Sequence, residues 1–216
     1  VFHEIDMTSW PRAQVFGYFS RMAPTGYSLS VRVDVTHLLK VKAEQAFHFF
    51  PAYLWLVTKN LCKQKEFTTA VKDGKVGYYD TLTPFYAQFH EDTHTFSMMW
   101  TEYKADFRAF EADYLENQAK FGDNHGFLCQ PGTPPENAYT VSCIPWLDFA
   151  HFAVHSYEKQ PYFFPSVEAG SITKEADGRS TMALSLTCHH AATDGYHVKV
   201  FLDDLQCDMN EFEKFV

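Results

Sequence analysis

The stretch from Ala183 to Phe215 constrains this chain most. Residues alternate from Ala183 to Cys188, with Leu184, Leu186 and Cys188 on one side, the period of a half-buried strand. Val198, Leu202, Leu205, Met209 and Phe212 then recur at helical spacing. Between them lies HHAATDGYH, from His189 to His197, which packs three imidazoles, one carboxylate and a glycine into nine residues. A strand that passes through a tight polar turn into an amphipathic helix requires a fold that mixes β and α layers.

The rest of the chain fits that requirement. Tyr27, Leu29, Val31, Val33 and Val35 alternate with Ser28, Ser30, Arg32 and Asp34, which predicts a strand with one buried side. Phe47 to Leu61 is apolar almost all round and predicts a buried helix, with Pro51 either kinking it or marking a late start. Asp73-Gly74 predicts a hairpin between two short strands. Further strands are expected at Tyr86–His90, Thr95–Trp100, Ala138–Trp146, Tyr162–Ile172 and Ser180–Cys188, and an amphipathic helix at Glu102–Phe121. Trp10 to Met22 reads as a short helix with Ser9 as N-cap and Pro11 in its first turn. No repeat or low-complexity linker interrupts the chain, so one domain over residues 1–216 is expected. The fold class is α+β: a two-layer arrangement of a mixed β-sheet with helices packed on it.

Composition narrows the function. The formal charge is −9, with no Lys/Arg-rich run, which argues against nucleic acid as a partner. No apolar stretch is long and uniform enough to span a bilayer, and no signal-peptide pattern opens the sequence. Five scattered cysteines without CxxC spacing argue against a disulfide framework or zinc ribbon, so a reducing cytoplasm is the expected setting. Aromatic residues make up 17 % of the chain, a load suited to a core, an interface or a pocket wall.

The histidine cluster admits three readings. His190 and Asp194 have i, i+4 spacing and His197 follows three later, a pattern open to zinc. Gly195 breaks that helix, and no Glu or Cys completes a ligand set, so no metal is expected there. A structural turn is the second reading, because polar residues satisfy one another at a strand-to-helix junction. The third is a general base: a neutral imidazole takes the proton of a hydroxyl as it attacks a carbonyl, and a donor such as Ser142 receives the charge on its oxygen.

The sequence resembles the type A chloramphenicol acetyltransferases, trimeric enzymes that use acetyl-CoA. Their His-His-x-x-x-Asp-Gly signature stands here as HHAATDG, and TVSCIPWLDF (Thr140–Phe149) resembles their serine-x-x-Pro-Trp strand. FHEDTHTFSMMWTEY (Phe89–Tyr103), SWPRAQVFGYF near the N-terminus and FFPAYLWLV around Pro51 follow the family order over nearly the whole chain. The resemblance implies the CoA-dependent acyltransferase fold and O-acetylation of the 3-hydroxyl of chloramphenicol, a resistance activity. It implies that His190 is the catalytic base, its ring held in the useful tautomer by its own backbone carbonyl. Ser142 would stabilise the oxyanion, Asp194 and Arg12 would form a buried pair that holds the loop, and Trp146 would stand near the coenzyme channel.

Tyr18, Phe19, Thr25, Phe96, Phe152 and Tyr162 match positions around the family's antibiotic pocket. The chain departs from better-known members there. Tyr18-Phe19 inverts their Phe-Tyr pair, Ala23 and Thr25 replace Leu and Cys, and Glu168 falls where they carry a threonine. Peptide-synthetase condensation domains and plant BAHD enzymes join two such units in one chain, with the active site between them. One unit alone implies a homotrimer with the site at the subunit interface. The acyltransferase core of 2-oxo acid dehydrogenase complexes carries Asp-His-Arg where this chain has His-His-Ala, and a binding protein without turnover is disfavoured by the intact His190 and Ser142.

Overall fold

A computed structural model describes residues 1–155 and 162–216. The chain opens with strand β1 (Phe2–Glu4), helix α1 (Ala13–Gly17) and a π-helical turn at Tyr18–Met22. Strand β2 (Gly26–Asp34) leads into α2 (Thr36–Gln45) and α3 (Phe49–Leu61). Strands β3 (Thr69–Lys72), β4 (Lys75–Tyr79), β5 (Thr83–His90) and β6 (Thr95–Trp100) follow. Helix α4 (Phe107–Phe121) and strands β7 (Ala138–Cys143), β8 (Ser166–Lys174) and β9 (Ser180–His189) precede the last helix, α5 (Gly195–Asn210), and a 3₁₀ turn at Phe212–Phe215.

The main sheet has the order β2-β9-β8-β7-β5-β6. It is mixed: β5, β7 and β8 run parallel, and the other neighbours are antiparallel. A smaller sheet, β1-β4-β3, contains the Asp73-Gly74 hairpin, whose residues hold φ of 52° and 77° as a type I′ turn demands. Alternation divides the main sheet into two faces. Leu29 and Val31 of β2, Val141 of β7, Val167 and Ala169 of β8, and Leu184 and Leu186 of β9 face a core shared with α3 and α5. Burying each large apolar side chain there is worth roughly 1.5–3 kcal/mol.

Helix α3 is buried from Pro51 to Thr58. Pro51 marks a late start rather than a kink: it lies in the first turn, where its missing N–H has no intrahelical partner to lose. Asp106 caps α4, accepting the Ala109 N–H at 2.8 Å, so that helix begins later than the periodicity predicts.

Other expectations are corrected. Ser9 does not cap α1. Its hydroxyl bonds the Asp6 carboxylate at 2.9 Å, and Ser9 and Trp10 N–H groups close a turn on the Asp6 carbonyl. Regular helix then starts only at Ala13. Strand β8 starts at Ser166, after Pro165, rather than at Tyr162, and β7 ends at Cys143 before Pro145.

The second sheet face is polar and carries Ser28, Ser30, Ser142, Glu168 and Ser185. Residues 144–155 cross part of it. The Ser185 hydroxyl donates to the Phe152 carbonyl, the Phe152 N–H donates to Ser30 Oγ at 3.2 Å, and His151 lies 3.1 Å from the same oxygen. Gly170 permits this close crossing, since a Cβ there would stand 2.9 Å from the Leu147 carbonyl oxygen and 3.1 Å from the Phe149 ring. Gly170→Ala should therefore destabilise the protein by about 1–3 kcal/mol in urea titration, as overpacking does. Unchanged stability would show that the crossing is loose.

Candidate active site

Arg12 organises the His189–His197 turn. Its Nε donates to the Ala191 carbonyl at 2.8 Å, one terminal nitrogen to the His190 carbonyl at 2.9 Å, and the other to Asp194 Oδ2 at 2.8 Å. Ala191 and Ala192 are fully buried against Phe16 and Phe163, so the small side chains let the N-terminal segment lie on the turn. Asp194 caps α5, accepting the Tyr196 N–H at 3.2 Å, while His197 Nδ1 lies 3.1 Å from the Asp194 N–H. The ion pair is less buried than the resemblance implies: the Arg12 side chain is 13 % exposed but that of Asp194 is 37 %. Burial alone would raise the Asp194 carboxyl, yet the Arg12 bond and the nearby His197 hold it below the usual range.

His190 sits at the end of the β9 ladder, its N–H bonded to the Thr25 carbonyl at 2.8 Å. Its ring stacks on Phe19 at 4.3 Å and 17°, and Tyr27 meets it edge-on at 5.3 Å. The π-helical turn supplies Phe19, closed by an Ala23 N–H bond to the Tyr18 carbonyl at 2.9 Å. Ring Nδ1 lies 3.1 Å from the Thr193 carbonyl oxygen. A carbonyl only accepts, so Nδ1 carries a hydrogen, and in the neutral ring Nε2 keeps the lone pair. The resemblance implies the His190 carbonyl for this contact, but the carbonyl is that of Thr193. The His190 carbonyl is engaged by Arg12 instead. Asp194 pairs with Arg12 and His197 and is not the orienting acid of a triad.

The other predicted residues divide into two groups. Phe19, Thr25 and Arg12 contact His190, Tyr18 meets Phe19 edge-on at 5.1 Å, and Asp194 is joined to the turn through Arg12. Tyr162 lies at the same end of the sheet, its hydroxyl donating to the Ala138 carbonyl at 2.9 Å, next to Phe163, whose ring meets His189 tilted at 59° with centroids 4.8 Å apart. Ser142 belongs elsewhere. The ladder aligns Ser142 with Glu168 and Glu168 with Ser185, five residues before His190. That places Ser142 and His190 of one chain ~16 Å apart along the strands and ~10 Å across them. Trp146 packs on Phe89 at 4.8 Å, and Phe96 is the cross-strand partner of Phe89. Trp146 and Phe96 are 61 % and 58 % exposed, large apolar rings open on the Ser142 side. Phe152 lies between the groups, on the polar face. Two concavities of the single chain, of about 300 Å³ beside Trp10 and Tyr78 and about 360 Å³ beside Trp100 and Asn117, belong to neither group.

Thr193 and Tyr27 were not legible as site residues. Thr193 orients the ring through a backbone atom, which any residue type could supply. Tyr27 alternated as an ordinary strand residue, yet its hydroxyl reaches Thr193 Oγ1 at 3.2 Å. Glu168 is 1 % exposed, accepts from the Ser166 hydroxyl through Oε1, and leaves Oε2 without a partner among the described residues. Burial pushes its carboxyl up to about 7, partly offset by Ser166.

The fold matches solved structures of acyltransferases. A chloramphenicol acetyltransferase superposes with TM-score 0.82 over 97 % of this chain and 100 % of that one, at 21 % identity. A probable dihydrolipoamide acetyltransferase from Listeria monocytogenes gives 0.60 over 97 % and 94 %, at 16 % identity. The architecture is therefore that of the CoA-dependent acyltransferases. In sequence, the family profile described as chloramphenicol acetyltransferase matches residues 1–206. Chloramphenicol acetyltransferases of Clostridioides difficile and Campylobacter coli are 37 % and 35 % identical, over 95 % of this chain and 95 % of the first relative, and 97 % and 99 % for the second. The chain belongs to the chloramphenicol acetyltransferase family of acyltransferases.

Glu168 generates a test. Its folded pKa lies above its ordinary 4.5, so the native state holds more protons than the unfolded state between those values. Stability must then fall as pH rises from 4.5 toward about 7, by at most on the order of 3 kcal/mol from this group. Urea titrations across that window should show Glu168→Gln lacking this component of the slope. Parallel wild-type and variant curves would mean that the carboxyl is not held neutral.

Proposed function

We propose that this protein transfers the acetyl group of acetyl-CoA directly to the 3-hydroxyl of chloramphenicol, and so confers resistance to it. One observation carries the reading: a stacked imidazole whose Nδ1 is committed to the Thr193 carbonyl, leaving Nε2 as a lone-pair base. Family membership supports the choice of substrates. The hydroxyl attacks the thioester carbonyl as Nε2 takes its proton, and a tetrahedral oxyanion forms. Ser142 donates a hydrogen bond to that oxyanion. Collapse expels the CoA sulfur, which recovers the proton from the imidazolium. A thioester is reactive enough that no covalent acyl-enzyme is needed, and holding both substrates in one cleft supplies much of the rate.

The separation of Ser142 from His190 within one chain supports a site shared by two copies. The base group and the Ser142–Trp146–Phe96 group lie at different places on the same sheet, so each copy offers one half and needs the other from a neighbour. Such a contact is heterologous and closes as a ring, in keeping with a homotrimer. Chloramphenicol presents a nitrophenyl ring and a dichloroacetyl group, chemistry that the exposed rings of Tyr18, Phe96 and Tyr162 suit. Trp146, exposed beside Phe89, is placed to serve as an aromatic wall for the coenzyme. No described helix is long and apolar enough to cross a membrane.

Acetyl-CoA-dependent thiol release with and without chloramphenicol tests the activity. His190→Ala should lose several orders of magnitude in kcat, since acid–base catalysis contributes roughly 10²–10⁴ and positioning is lost as well. Ser142→Ala should lose roughly 10–10³-fold. Near-normal turnover in His190→Ala would refute the assignment. The shared site is tested by mixing: after co-refolding equal amounts of His190→Ala and Ser142→Ala chains, about a quarter of the interfaces should carry both wild-type groups and activity should reappear. If the mixture stays as inactive as its components, both groups come from one chain.

A further inference from the structure

The tip of the β5–β6 hairpin gathers a set of groups that the transfer reaction does not use. His90, at the end of β5, is 6 % exposed. Asp92 lies in the hairpin turn, and His125 lies beyond α4 on the segment that adds to the β6 edge. That segment is held by the Met98 N–H bonded to the Phe127 carbonyl at 2.7 Å and the Cys129 N–H to the Met98 carbonyl at 3.0 Å. One potential ligand atom from each of His90, Asp92 and His125 lies within 4.8 Å of the others. The two imidazoles stack at 4.2 Å and 22°, and His125 Nε2 stands 3.3 Å from Asp92 Oδ2.

The hydrogen bonding around His90 decides which nitrogen it presents. Ser97 Oγ is 2.5 Å from the Gly126 carbonyl oxygen, with the Asn124 carbonyl 3.4 Å away. Carbonyls only accept, so the single hydroxyl hydrogen of Ser97 is committed to them. Ser97 Oγ, 2.8 Å from His90 Nε2, must therefore accept from it. His90 is thus fixed as the Nε2–H tautomer, with the Nδ1 lone pair free. A ring nitrogen that donates to a fixed, buried partner while the other keeps its lone pair is the arrangement that orients a metal-ligating histidine. Ser97 is itself 1 % exposed. His125 and Asp92, 47 % and 67 % exposed, are free to turn toward a common point. The stacked rings must open for both lone pairs to converge, and only the exposed side chains need move. The local charge favours a cation: Glu91 and Asp123 flank the ligands, and neither Phe89–Tyr103 nor residues 121–130 contain a Lys or Arg.

We propose that His90, Asp92 and His125 form a binding site for a divalent transition-metal ion of the zinc class, which staples the hairpin tip to the segment after α4. Two imidazoles, one carboxylate and water complete a four-coordinate shell. The site is separate from the His190 turn, and acetyl transfer does not pass through it.

Zinc titration of the untagged full chain, freed of metal by EDTA dialysis, tests this. Calorimetry should show one saturable site per chain at micromolar zinc, and added Co²⁺ should develop visible absorption bands of a nitrogen- and oxygen-ligated ion. His125→Ala and Asp92→Asn alter exposed side chains and should weaken binding tenfold or more. Ser97→Ala, which removes the outer partner of His90, should weaken it roughly 10–100-fold. Zinc should raise the Tm of wild type and not of His125→Ala. His3→Ala and Cys207→Ser, at exposed positions away from the cluster, should bind as wild type does. Absence of saturable binding up to 100 µM zinc would overturn the proposal. So would binding that survives in His125→Ala or that is lost in Cys207→Ser.

Discussion

The arginine at position 12 holds the candidate site together. Its guanidinium spends three donors on three points of one turn, the carbonyls of His190 and Ala191 and the carboxylate of Asp194. Hydrogen bonds to charged groups are worth about 1.5–3 kcal/mol each. Their geometric effect matters more here. They draw α1 and the π-helical turn onto the end of β9, which brings Phe19 over the His190 ring and seats Ala191 and Ala192 under Phe16. With the turn set, the Thr193 carbonyl meets Nδ1, and the His190 ring is oriented without any acidic side chain. Asp194 acts on the backbone, as an ion-pair partner and helix cap.

The sheet sets the two predicted groups apart. Strands β8 and β9 run antiparallel, so the end of β9 that delivers His190 lies at the start of β7 and β8, while Ser142 lies toward the end of β7. Under the proposed mechanism, a base and an oxyanion donor separated in this way do not act on one carbonyl. The proposed reading therefore takes Ser142 from a second copy, and the exposed aromatic rings of both groups are the surface such a contact would cover. In that proposal, dependence on a neighbour follows from strand direction and register.

Much of this was legible in the sequence. The alternation of β2 and β9, the Asp73-Gly74 hairpin and the buried α3 appear as their patterns predict, because each is dictated by local periodicity or turn chemistry. HHAATDG identified the turn, and the ordered blocks identified the family. What was hidden depends on tertiary placement. Helix α2 buries only Leu38 and Val41 completely and otherwise reads as polar chain. Strand β1 is three residues long and exists through its partner β4. Ser9 looked like a helix cap but serves the Asp6 turn instead. The orienting carbonyl belongs to Thr193, and no side-chain pattern reports a backbone atom.

The tautomer of His190 is the central claim, and ¹⁵N NMR of histidine-labelled protein measures it directly. Long-range ¹H–¹⁵N correlations at neutral pH, assigned by comparison with His190→Gln, should show a protonated Nδ1 and an unprotonated Nε2 for this ring. A signal pattern with the proton on Nε2 would remove the lone pair from the cleft and contradict the account.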